Sequence, residues 1–255
     1  MLLRHDEGGV LAIGQASHAW LSGQLARAWG NEGFGPVEPW DEVCLAADQH
    51  DVGMAAWDLQ PSFDEGTGLP HSFMDMPLDV HTELWLEGPR RLASQSAYAV
   101  LLVSMHGWRL YKRRDLERSP PAEAERIRRF LDAQRAFQDE LLARLRTGRA
   151  LESEVLERNS LLLWTWDYLS LALCLDWAPV TAKAAPLRRG SANLRIEPAG
   201  ERSVSVAPWP FQTDTVRVRC EGRRLPERFR NESEMRRGLS EGPIETLELV
   251  LERSA

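Results

Sequence analysis

The sequence predicts an α+β protein, a mainly helical bundle followed by a small C-terminal antiparallel β-sheet. Three observations carry that prediction. Apolar residues recur at helical spacing through much of residues 17–177. The character changes near Pro179, and from residue 190 the apolar period drops to two. The chain also has 255 residues, 43% of them hydrophobic, enough to bury a large core without disulfides or a structural metal. This divides the chain into a helical body over 1–180 and a β-rich segment over 181–255 packed on the same domain.

The first segment, VLAIGQAS, leads to Ser17, an N-cap candidate, and Gly30 stops the helix that follows. Its apolar positions are Trp20, Leu21, Leu25, Ala28 and Trp29. The next helix is predicted to start at Pro39 and to run through WDEVCLAADQHDVGMAAWD, with Val43, Ala46 and Ala47 on its apolar face. Residues 59–79 hold Pro, Gly, Asp and Ser without periodicity and read as a long loop, either a lid or a surface connection. Helical signals resume near Asp79 and continue to Tyr111 as two helices, broken near Gly88-Pro89 or Ser94. Ser119-Pro120-Pro121 opens a helix over 122–147, whose stripe of Ile127, Phe130, Leu131, Phe137, Leu141 and Leu145 is interrupted by Gln134. The helix over 152–177 is apolar on most sides, which predicts a central position. Alternation then marks four strands, around Leu194/Ile196, Val204/Val206, Val216/Val218/Cys220 and Leu247/Leu249/Leu251.

A net charge of −7 argues against nucleic-acid and membrane-surface partners. The 31 basic residues include only two lysines, Lys112 and Lys183, a bias of genome composition rather than function. Cys44, Cys174 and Cys220 are widely spaced and odd in number, so they read as buried thiols of a reducing compartment. The N-terminus lacks the apolar core of a signal peptide, and the stretch 161–177 is too short and too polar for a membrane span. A cytoplasmic protein is expected.

Six histidines are present, and four of them (His18, His50, His81 and His106) fall within predicted helices. His50 is followed directly by Asp51. Adjacent helical residues project about 100° apart, so both reach one ion only in a bundle interior with ligands from other helices. His18 and Asp167 are the candidates. Asp167 sits in LLLWTWDYLSLALC, where an unpaired carboxylate costs several kcal/mol. A cation, an arginine, a protonated histidine or a cap donor must neutralise it.

The order His18, His50-Asp51, Asp167 resembles the HD-domain superfamily, helical proteins whose H…HD…D ligands hold a catalytic metal. LAADQHDVGM looks like the signature around that HD pair. More closely, QASHAWLSGQLARAWG, AADQHDVGMAAWD, LVSMHGWRLY, TWDYLSLALC and PWPF make the chain similar to the bacterial family called domain of unknown function 3891. That likeness covers nearly the whole chain and lends no activity. The HD likeness implies an HD-like bundle with His18, His50, Asp51 and Asp167 as metal ligands. It also implies His81 and His106 as ligands of a second ion, as in binuclear members. Two features depart from HD phosphohydrolases: Met54 stands where a lysine often follows the pair, and there is no Lys-rich phosphate clamp, for which Arg90, Arg91 and Arg109 are the nearest substitutes.

Imidazoles with carboxylates suit a divalent transition metal, Fe, Mn or Zn, as one or two ions. Such an ion lowers the pKa of a bound water to near 7 and polarises a phosphoryl oxygen. Asp51 would act at the reaction centre, with Asp48 or Asp58 as proton acceptor or else as plain surface acids. Trp57, Trp85, Trp108, Trp164 and Trp166 either wall a pocket or pack the core. Arg113/Arg114 and Arg128/Arg129 read as solvated helix faces. Phosphate-loop and nucleophile-elbow motifs are absent. The function expected is an HD-type hydrolase of a phosphoester or nucleotide-like small molecule. The alternatives are a di-iron oxygenase on the same ligands and a non-catalytic binding or regulatory module with a buried His/Asp network. The partner expected is a small-molecule substrate, with a homodimer left open.

Overall fold

A computed structural model describes residues 1–145 and 148–254. The chain opens on a hairpin. Strands β1 (Leu2–Asp6) and β2 (Gly9–Ile13) pair antiparallel with Asp6 opposite Gly9, and Gly9 takes a φ of 106° at the turn. Helix α1 (Gln15–Ala28) follows without a break, with Gly14 at its N-cap. Ser17 is not the cap. Its hydroxyl donates to the Glu221 carbonyl (2.8 Å) and accepts from the Glu221 N–H (3.0 Å), tying the helix to the sheet.

The predicted second helix is two helices. α2 (Trp40–Gln49) ends just before His50, a short 3-10 turn covers Val52–Met54, and α3 (Ala55–Leu59) resumes. Asp51, at φ −102° and ψ 15°, has left the helical region. Residues 60–77 are not structureless. They form a hairpin of β3 (Phe63–Asp64) and β4 (Leu69–Pro70) and a 3-10 turn, Phe73–Asp75, closed by a Ser72/Asp75 capping box. α4 (Leu78–Glu87) and α5 (Ala97–Lys112) are separated by the Pro89–Leu92 turn, as the Gly88-Pro89 dipeptide predicts. α6 (Pro121–Arg144) is the long amphipathic helix, and positions 146–147 of its predicted span lie outside the described residues. Gln134, the polar break in its stripe, accepts from the Ser104 hydroxyl (2.5 Å) and donates to the Trp85 carbonyl (2.8 Å). α7 (Ser153–Cys174) is central, with Leu162, Leu163, Trp166, Leu169 and Leu173 buried.

The rest of the chain is β5 (Val180–Pro186), β6 (Ser191–Gly200), β7 (Ser203–Ala207), β8 (Thr215–Leu225), α8 (Glu232–Glu241) and β9 (Ile244–Arg253). All four strands predicted from alternation are present, and the apolar residues that marked them are buried. The sheet, however, corrects the expected fold class. It has seven strands in the order β1-β2-β8-β9-β7-β6-β5, and β7 pairs with β9 in parallel. It is therefore large and mixed, not small and antiparallel, and it recruits the N-terminal hairpin through β2 and β8. The chain is roughly 49% helical and 23% strand, which is not a helical bundle with a minor appendage. The hairpin escaped sequence reading because β1 is only five residues long and β2, buried at every position, shows no alternation.

One hydrophobic core runs from the helices into the sheet, joining Leu21, Leu25, Trp166 and Leu173 to Val206, Val218 and Leu251. A smaller cluster on the other side holds Val10, Ala12, Leu225, Phe229 and Met235, where α8 covers the β2 end. α1, α2, α5 and α7 pack against one another, and it is on these four helices and the break after α2 that the site is built. Among the described residues, no helix is long and apolar enough to cross a membrane. Cys44, Cys174 and Cys220 are free and buried, as expected.

Candidate metal centre

His18 comes from α1, His50 and Asp51 from the break after α2, His106 from α5 and Asp167 from α7. Their side chains converge. His18 Nε2 lies 2.8 Å from Asp51 Oδ2 and 3.8 Å from Asp167 Oδ1. His50 Nε2 lies 3.3 Å from Asp167 Oδ1 and 3.7 Å from Asp51 Oδ2. His106 Nε2 lies 3.4 Å from Asp167 Oδ2. The imidazoles stack edge to face, with His50 5.1 Å from His18 and 5.2 Å from His106 between ring centroids. Two overlapping sets, His18/His50/Asp51 and His50/His106/Asp167, each present ligand atoms within 4.8 Å of one another.

The ring nitrogens are oriented from behind. His50 Nδ1 donates to the Ala47 carbonyl (3.0 Å), which leaves Nε2 aimed at the carboxylates. That Nε2 is buried and has no hydrogen-bond partner. The Ser170 hydroxyl donates to the Asp167 carbonyl (2.8 Å), so its oxygen accepts from His18 Nδ1 (2.7 Å), and Ser22 braces Ser170 at 2.8 Å. His106 is held by packing, its ring 5.6 Å from both Trp85 and Trp164.

Ligand atoms about 2.1 Å from one ion stand about 3.0–3.4 Å apart in octahedral or tetrahedral arrangements. The observed separations bracket that range, and a bare buried Nε2 is what a cation requires. With the imidazoles neutral, Asp51 and Asp167 give the cluster a charge of −2, the complement of a divalent ion. Without a cation, a proton serves instead. Burial lowers the His50 pKa, but the Asp51 and Asp167 carboxylates outweigh it and push it up to about 9. Burial raises Asp51, yet His50 and His18 hold it below its ordinary value. Asp167 is likewise held far below the carboxylate range by His106 and His50, against its burial. These buried His and Asp groups are thus chemically able to bind a metal ion.

Other predicted site residues do not join them. Trp85 Nε1 donates to His81 Nε2 (3.0 Å), so the His81 proton sits on Nδ1 and is donated to the Tyr111 hydroxyl (2.5 Å). Both nitrogens are spent, and burial pushes the His81 pKa down to about 4. Asp48 lies over Gly23 and pairs with Arg27, whose Nη1 is 2.9 Å from Oδ1. Asp58 accepts from the Gln15 N–H (2.5 Å) and pairs with the Met1 ammonium. Both are engaged away from the cluster. Arg109 is paired with Glu157 and Arg90 covers the Phe137 ring, so neither clamps the site.

The cluster forms one wall of a cavity of about 270 Å³ onto which His18, Asp51, His106 and Asp167 open. Asp167 therefore points to the cavity and keeps 16% of its side chain accessible, which is why an acid is tolerated in so apolar a helix. Phe73, Met74 and Met76, from the segment read as a lid or connection, also line it. Of the tryptophans, Trp85 lines the cavity while Trp166 is core. Ser22, Ser170, Tyr111 and Arg114 were not singled out from the sequence as site residues. A signal existed for the serines: Ser22 is four residues from His18 and Ser170 three from Asp167, polar residues on the same helix face as a ligand.

Residues 1–227 match the model of the family described as protein of unknown function (DUF3891), and the chain belongs to that family. The match runs from the N-terminal hairpin through β8. No curated protein and no solved structure matches the chain.

Proposed function

We propose that this member of the family is a metal-dependent hydrolase of HD type, acting on a phosphoester or nucleotide-like small molecule in the cavity beside the His/Asp cluster. One observation carries the reading: the buried His50 Nε2, which makes no hydrogen bond of good geometry, faces two carboxylates that line a cavity. His18, His50, Asp51 and Asp167 stand in the H…HD…D order of the HD superfamily, and His106 adds a third imidazole.

The ligand chemistry suits Fe, Mn or Zn. A single ion is favoured, because the two ligand sets share His50, whose Nδ1 is committed to the Ala47 carbonyl, and His81 has no lone pair to offer. The di-iron reading would need a second set of ligands independent of His50. The chemistry such an ion supplies is acidification of water toward a pKa of about 7 and polarisation of a phosphoryl oxygen. The chain's own residues do the rest. Asp51 and Asp167 remain ionised and balance the charge. Ser170 and Ala47 hold His18 and His50 in the productive tautomers. Phe73, Met76, Trp85 and Leu110 exclude water around the substrate.

The test is metal analysis of protein purified without chelator or histidine tag, followed by phosphate release from a panel of phosphoesters and nucleotides. About one equivalent of Fe, Mn or Zn is expected. His50→Ala should lose the metal and keep its circular dichroism. A protein that refuses Mn, Fe and Zn in titration overturns the reading in favour of a binding module with a buried polar network.

A further inference from the structure

Three consecutive basic residues follow the cavity-lining face of α5, and they have different fates. Lys112 Nζ sits 5.7 Å from the Trp108 ring centroid and the Arg113 guanidinium 5.0 Å from that of Trp164. Arg114 alone lines the cavity. Its backbone N–H bonds the Tyr111 carbonyl (3.1 Å), and its guanidinium is 5.5 Å from the Tyr111 ring. Among the described residues no carboxylate lies within ion-pair distance of it.

His106, Leu110 and Arg114 are spaced i, i+4, i+8, and all three line the cavity. The cavity wall therefore presents a candidate metal ligand, an apolar side chain and a cation in chain order. From His106 to the end of α5 at Lys112 the helix rises about 9 Å along its axis, and Arg114 lies two residues beyond. Arg114 lies just past the last turn of α5 and is exposed, with its guanidinium beside the Tyr111 ring. Between the two ends the wall is apolar, with Leu110, Leu171, Phe73 and Met76. Among the described residues Asp51 and Asp167 are the only carboxylates lining the cavity, and a divalent ion balances both. Among the described residues that line the cavity, the exposed Arg114 is then the one charge without a protein counter-charge.

We infer that the cavity takes a two-ended substrate: a phosphoester group at the His/Asp cluster, a distal oxyanion on Arg114, and a short apolar spacer against Leu110 and Leu171. The inference rests on the metal reading above and adds the substrate class to it. A guanidinium holds a carboxylate or phosphate through paired, charge-assisted hydrogen bonds, so the distal group confers selectivity as well as affinity.

Non-hydrolysable phosphonates test this by calorimetry on protein loaded with Mn or Zn, with metal content measured on every sample. Phosphonohexanoate carries both ends, hexylphosphonate lacks the distal anion and phosphonoacetate lacks the spacer. Phosphonohexanoate should bind about tenfold or more tightly than either. Arg114→Met should abolish its advantage over hexylphosphonate while leaving metal content and hexylphosphonate affinity unchanged, and Arg114→Lys should keep part of it. Replacing the carboxylate by a second phosphonate tells which oxyanion is preferred. Equal binding of all three probes, an advantage that survives Arg114→Met, or no phosphonate binding by metal-loaded protein overturns the inference and leaves the metal reading standing. Failure to load metal removes both.

Discussion

Two histidines within one small region are set to opposite tasks by their hydrogen bonds. His50 gives its only committed proton to the Ala47 carbonyl, and its other nitrogen faces Asp51 and Asp167. His81 receives the Trp85 indole N–H, gives its proton to Tyr111, and is a neutral piece of wall. The residue type is the same, and the second partner decides which nitrogen is available. His18 belongs with His50, because Ser170 occupies its Nδ1. Outer partners of this kind typically contribute 10–100-fold to metal affinity. Ser170→Ala should therefore weaken metal binding by about that factor, read by competition with a chromogenic chelator, with the fold unchanged. An unaltered affinity would mean that packing alone orients the His18 ring.

The site exists because α2 stops where it does. A continuous helix through residues 40–58 would send His50 and Asp51 about 100° apart. Ending α2 at Gln49 and turning through Val52–Met54 brings both to one side of the cluster. Gly53 lets that turn pack closely against the end of α4. A Cβ there would sit 2.7 Å from the Gly88 Cα and 2.9 Å from the Leu84 carbonyl oxygen, backbone atoms at the end of α4 that cannot move aside cheaply. Gly53→Ala should cost about 1–3 kcal/mol. Because the strain falls two residues from Asp51, the variant should also bind metal more weakly, and thermal melts with and without added Zn separate the two effects. α5 shows a second close approach, with the Trp85 indole lying where a Cβ on Gly107 would be, at 2.6 Å. That contact places Trp85 against His106 and lets it reach His81.

At the scale of the molecule, the helices that carry the ligands do not close their own core. α1 lies on β8 and α7 on β5, and the buried face of the sheet supplies Leu194, Ile196, Val218 and Leu251 to the same cluster as Leu25 and Trp166. Leucine and isoleucine positions of this kind are each worth about 2–5 kcal/mol when truncated, a large share of the 5–15 kcal/mol by which domains are stable. A fragment of residues 1–180 should therefore lack a cooperative thermal transition and should not take up metal. A fragment that melts sharply and binds Zn would show the helical part to be autonomous. β9, between β8 and β7, pairs with both, so the sheet is completed only when the last strand is in place.

Most of this chain's secondary structure was legible residue by residue. The periodic faces of α1 and α6, the all-round apolar character of α7, the Gly88-Pro89 break and the alternating strands from Leu194 to Leu251 all rest on local sequence, which a linear chain records directly. The ligand candidates were legible too, because a carboxylate such as Asp167 in an apolar helix demands a partner wherever the chain goes. Three things were decided only by tertiary contact: the membership of β1 and β2 in the sheet, the parallel pairing of β7 with β9, and the engagement of His81, Asp48 and Asp58 elsewhere. Each depends on which side chain or strand arrives from a distant part of the chain. Local spacing constrains what a segment can be, whereas pairing across tens or hundreds of residues is selected by the packing of the whole core.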